Sequence, residues 1–185
     1  MAVAPLYAQT GPARPPDEIP QRIDKERAES RGGKSDWERQ QEERDFKEAD
    51  LPLPALPDKQ ALIEFFVTSA SSFHFFIDAT SLSVGPDGVV RYTLVARSPS
   101  GYENISYEGI RCESGTVKIF AFANDGQWKR SNSEWQPIEA KSVQRWHNVL
   151  RGQFFCPNRA TIASAAEGLD ALRRGQHPAV RNTGI

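Results

Sequence analysis

Long apolar runs are missing from this chain. No stretch approaches the roughly 20 residues that a membrane-crossing helix needs, so no membrane span is expected. A surplus of positive charge is missing as well. The 23 Lys and Arg stand against 24 Asp and Glu, for a formal net charge of -1. No global basic field therefore argues for nucleic acid. Cysteine is scarce: Cys112 and Cys156 have no CxxC spacing and no histidine pattern beside them, which argues against a zinc site. His74, His147 and His177 lie far apart without ligand spacing, so neither a metal nor a cofactor is expected. A phosphate-cradling Gly-rich loop, a GxSxG elbow and an HExxH helix are all absent, which removes the usual motif-borne routes to catalysis.

What is present divides the chain. Its 185 residues, 38% hydrophobic and 25% charged, suit one modest globular domain with disordered ends. The opening "AVAPLYA" looks like the tail of a secretory signal peptide, with small Ala8 at the cleavage position. Residues 1–8 are therefore expected to be a signal-peptide remnant; the plainer alternative is an Ala-rich cytosolic N-terminus. Residues 9–34 are rich in Pro, Gly and mixed charge. They carry too little apolar surface to offset their ordering entropy, so a disordered tether is expected. Residues 35–50 read as a charged helix, with Ser35 and Glu38 as a capping box and Trp37 and Phe46 as its sizeable anchors. "LPLPALP", Leu51 to Pro57, leads on in extended form.

Residues 51–175 read as an α+β domain, an antiparallel sheet packed with C-terminal helices. "ALIEFFV" and "SFHFFIDATSLSVG" are aromatic and β-branched. "VVRYTLVAR" alternates, with Val90, Tyr92, Leu94 and Ala96 on one face and Val89, Arg91, Thr93 and Val95 on the other. "YENISYEGIRC" and "TVKIFAFA" follow, and Asp125-Gly126 tips a further hairpin. Short strands joined by close turns mean antiparallel pairing. After Trp135 the period changes: Val143, Trp146, Val149 and Leu150 form one helical stripe, and Ile162, Ala165, Ala166, Leu169 and Leu172 a second. Residues 176–185, with His177 among them, are expected to fray.

At these residues the chain resembles the CNP-one-like domain family of proteobacterial exported proteins. The matching pieces are "FHFFIDATSLSVGPDGVVRYTLVARSPSGYENISYEGIRC", "VKIFAFANDGQW", "WQPI" and "RWHNVLRGQFFCP", in order along the chain. "DWERQQEERDFKEADLPLPALP" resembles the family's lead-in. The resemblance implies an exported, periplasmic protein, the fold module and the two-cysteine pattern. It implies no activity and no catalytic residues.

In an oxidising compartment Cys112 and Cys156 could pair; otherwise they are two buried thiols acting as small hydrophobes. Cys112 ends a strand and Cys156 follows a helix that must pack on the sheet, so a bond is expected. Among titratable residues, Arg91, Glu108, Arg111 and His147 are the candidates for a ligand cleft. Glu108 and Arg111 are three apart, which puts them on opposite faces of a regular strand. A bulge at Gly109 would change that. The plainer reading of this pair is ionic contact at the sheet rim. A His147–Cys156 nucleophile pair would need a free thiol. The crowded strand aromatics suggest an apolar groove on one sheet face; single-strand RNA reading lacks both the glycine-aromatic signature and a basic surplus. The leading expectation is a non-catalytic exported domain that binds an envelope protein or ligand. The alternative is a small hydrolase or transferase using Glu108, Arg111 and His147.

Overall fold

The alternation in Val89–Arg97 builds the centre of the fold. The computed structural model describes residues 36–139 and 144–180. The expected signal-peptide remnant, the tether, the Ser35 cap, Val143 and the end of the expected fraying tail lie outside the described residues. The chain divides into two compact units, Met1–Phe46 and Lys47–Ile185. The described part of the first is dominated by α1 (Asp36–Asp45), almost wholly polar, with Trp37 exposed.

The second unit is an α+β domain around an eight-stranded antiparallel sheet. Strands β1 (Leu62–Phe65), β2 (His74–Asp78), β4 (Val89–Arg97), β5 (Glu103–Arg111), β6 (Thr116–Asn124) and β7 (Gln127–Arg130) lie in the order β1-β2-β4-β5-β6-β7. The short β3 (Ser83–Val84) pairs with β4 and β8 (Gln136–Pro137) with β6. Gly88, Gly101 and Gly126 take positive φ in the turns, a conformation that costs glycine little.

One face of the sheet carries the helices. Helix α2 (Arg145–Val149) widens into a π-helical stretch, Leu150–Phe155, and α3 (Ala165–Arg174) follows. Ser164 caps α3 by accepting the Glu167 N–H, and Gly175 ends it at φ +78. Leu150, Phe154, Phe155, Ile162 and Leu172 join Val90, Tyr92, Ile110 and Val117 in one core.

An extended strap at residues 47–57 covers part of the other face, over Val89, Arg91 and Thr93. The Ala49 N–H donates to Asp87 Oδ2 at 2.9 Å, and Trp128 Nε1 donates to the Pro54 carbonyl at 2.8 Å. Glu48 pairs with Lys118 at 2.9 Å and accepts from Trp135 Nε1. Beneath the strap, Val89, Thr93 and Val95 are fully buried. Both faces of β4 are therefore covered, which is why its apolar residues are not confined to one alternation.

Two expectations shift. The charged helix stops at Asp45 instead of running to 50, because Glu48 and Ala49 are used as extended partners of the sheet. His177 does not fray: it is buried, and its N–H donates to the Gln153 carbonyl at 2.8 Å. Its Nδ1 accepts from the Ala179 N–H, which leaves Nε2 to donate to Glu167 Oε1 at 2.9 Å.

Candidate functional site

The register of β4, β5 and β6 decides what meets on the helix side. Tyr92 lies opposite Glu108, Leu94 opposite Ser106, and Ser106 opposite Phe122. Ser106 and Glu108, two apart on one strand, share that face. Helix α2 brings His147 down onto them. Glu108 is 1% exposed. A carboxylate taken out of water is costly unless hydrogen bonds replace hydration, and here three side chains do so. Ser106 Oγ donates to Oε1 at 2.6 Å, Tyr92 Oη donates to Oε2 at 3.0 Å, and His147 Nε2 meets Oε2 at 2.8 Å. Burial and, after it, the Glu108 charge push the Tyr92 phenol well above its ordinary range. Tyr92 therefore stays protonated and serves as a donor.

The helical layer stops at Glu108. Beyond it the same face opens into a groove of about 760 Å³, within the range of small-molecule sites. Its floor is made of small or short side chains, Ala96, Asn104 and Ser106. One wall is Phe73, Phe75 and Trp146, with Phe75 and Trp146 stacked at 5.3 Å. The other is Phe122, which is 47% exposed. Phe75 and Phe122 stand on strands three spacings apart, about 14 Å. The Glu108 carboxylate lies at the inner end.

Of the four expected cleft residues, the structure brings together only Glu108 and His147. Arg91 faces the strap side, buried, with Asp87 at 2.6 Å and the Ala49 carbonyl at 3.3 Å. Arg111 is also on that side, its guanidinium 5.6 Å from the Trp135 ring. The proposed Glu108, Arg111 and His147 trio is thus split by the sheet itself, and so is a cleft containing Arg91. No bulge at Gly109 rescues it. The irregularity falls between Tyr107 and Glu108, where Phe120 is the extra residue on β6. Gly109 is needed for another reason: a Cβ there would stand 2.8 Å from both the Phe120 ring and Val89. Burial tends to raise the Asp87 carboxyl, but the Arg91 hydrogen bond, the Ala49 N–H and the Arg91 charge outweigh it and hold the pKa at about 2. Tyr92 and Ser106 were missed. The Ser106–Glu108 spacing was a usable signal; the Tyr92 pairing needed the register.

Cys112 and Cys156 are bonded, with S–S 2.07 Å and Cα–Cα 5.3 Å. The bond clamps the end of β5 to the end of the π-helical stretch, one strand row beyond Ile110. It fixes the helix that carries His147 over the sheet that carries Glu108. The same bond consumes the thiol that a His147–Cys156 nucleophile would need. Among the described residues no group of three or more His, Cys, Asp or Glu is placed to hold a metal ion, and no helix is long and apolar enough to cross a membrane.

A family model described as the CNP1-like family matches residues 41–173. The chain is 30% identical over 112 residues to Cryptic neisserial protein 1 of Neisseria gonorrhoeae; the match covers 51% of this chain and 55% of the relative. The chain thus spans about half the length of the curated relative it matches. No solved structure matches.

Proposed function

The chain belongs to the CNP1-like family, and from that premise we propose that it is an exported, periplasmic, non-catalytic domain that binds an envelope component in its helix-side groove. One observation carries the binding: the helical layer ends part-way across the sheet and leaves an aromatic-walled hollow above small floor residues. The Cys112–Cys156 bond supports the compartment, since such bonds persist where the surroundings are oxidising.

The test uses the native host. The protein should fractionate with the periplasm and show no free thiol when unfolded without reduction. Wild type should capture an envelope component that Asn104→Trp, which fills the floor from an exposed position, fails to capture. Cytosolic protein with two free thiols would remove export. Equal capture by both proteins would remove the groove.

A further inference from the structure

We propose that the groove is a site for an organic cation, an ammonium or quaternary ammonium carried on an apolar body. The inference rests on the binding role just given and names its ligand class. The chain as a whole is nearly balanced in charge, but the groove is not. Among the described residues the charged ones that line it are Glu103 and Glu108, and none of the lining residues is Lys, Arg or His. Glu103, at the rim, is already paired with Arg97 at 2.8 Å. Glu108, whose partners are Ser106, Tyr92 and His147, is the lining carboxylate that no Lys or Arg among the described residues is shown to pair with.

The carboxylate retains capacity for one more donor. An ionised carboxyl group offers about four lone-pair positions, and Ser106, Tyr92 and His147 use three. Two of those donors are neutral hydroxyls, which hold the carboxylate in place without cancelling its charge. The walls match the same ligand. The faces of aromatic rings are electron-rich and attract cations, indole most strongly, and Phe73, Trp146 and Phe122 flank the space. An apolar body would cover the Phe rings while the ammonium reaches toward Glu108. An anionic ligand would meet the carboxylates and ring faces, which repel it, with only neutral amide and hydroxyl donors such as Asn104, Asn124 and Gln144 among the described lining to offset them.

The experiment titrates the full chain with three probes of similar shape. They are the phenethylammonium ion, neutral 3-phenylpropan-1-ol and anionic 3-phenylpropionate, followed by tryptophan fluorescence and calorimetry. The cation is expected to bind saturably and about ten-fold more tightly than the alcohol, with the anion weakest. Glu108→Gln should bring the cation down to the level of the alcohol. Because a buried substitution can impair folding, Phe122→Ala at the exposed wall is the second variant, and it should weaken the cation about three-fold or more. Alcohol or anion bound as tightly as the cation would overturn the ligand class and leave the binding role standing. So would loss of the alcohol and the cation in equal proportion in Glu108→Gln. Cation affinity unchanged by Phe122→Ala, or no saturable cation binding, would overturn the site as assigned here. Envelope capture, measured separately, reports on the broader role independently of these outcomes.

Discussion

A buried charge stands on each face of the central sheet at nearly the same height. Arg91 is on the strap side and Glu108 on the helix side, in neighbouring strands. Arg91 is met by a full opposite charge, Asp87, by a backbone carbonyl and by the Phe120 ring at 5.3 Å. Glu108 is met by two hydroxyls and an imidazole, and it borders the groove. The first arrangement closes: every partner is part of the chain, and it ties the strap to the sheet. The second leaves room beside the charge. A buried ion that only holds structure is sealed, whereas one beside a hollow is placed where a ligand can meet it.

The sharpest break of this comparison is Asp87→Ala. It leaves the Arg91 guanidinium buried without its counter-charge and should cost about 3–5 kcal/mol in urea unfolding at neutral pH. Glu108→Gln keeps the shape and one acceptor oxygen, so it should cost less, about 1–3 kcal/mol. A larger loss from Glu108→Gln would mean that Glu108, not Arg91, is the structural charge.

The disulfide comes next. Closing a loop with sequence separation 44 contributes about 4 kcal/mol in the chain-entropy account. Cys112→Ser and Cys156→Ser should each cost about 2–5 kcal/mol, and the double variant no more than either. Additive losses in denaturant titrations would show that the cysteines stabilise separately.

Acid separates the two faces further. The folded Asp87 pKa, about 2, lies below its ordinary 3.8. Its contribution is therefore fully present above about pH 4 and is lost as pH falls through about 2. The difference amounts to about 2 kcal/mol, and the side chain is only 3% exposed, so screening by water takes little from it. Stability measured from pH 5 to 2 should fall more steeply in wild type than in Asp87→Ala. Parallel curves would show that the ion pair does not carry the acid response.

Much of the sheet was legible because its signals are local. The alternation in Val89–Arg97, the turn glycines and the aromatic strand runs fixed antiparallel strands, and the position of Cys112 and Cys156 at the ends of packed elements pointed to their bond. The strap was half legible: "LPLPALP" read as extended, but that it would cover a face depends on Trp128 finding the Pro54 carbonyl. The site was least legible. Glu108 and His147 are 39 residues apart in sequence, and their contact depends on where α2 docks. Grouping Arg111 with Glu108 requires a bulge at Gly109; β5 pairs with β4 without interruption there, so their three-residue spacing keeps them on opposite faces.

The smallest predicted effect probes how the Glu108 charge is shared. Tyr92→Phe removes one buried hydroxyl and almost no volume. A hydrogen bond to a charged acceptor is worth about 1.5–3 kcal/mol. The lower end, about 1.5 kcal/mol, is expected here because Oε2 keeps His147. The two donors converge on one oxygen, so they should not act independently. Removing either leaves Oε2 with a partner; removing both leaves the oxygen of a 1%-exposed carboxylate without a side-chain donor. Tyr92→Phe combined with His147→Phe should therefore cost more than the sum of the single losses, by about 0.5 kcal/mol or more. A double-mutant cycle in urea at neutral pH measures the excess. Additive losses would mean that the two donors serve Glu108 separately, and the sealed and open faces of the sheet would then differ in charge alone and not in how each charge is held.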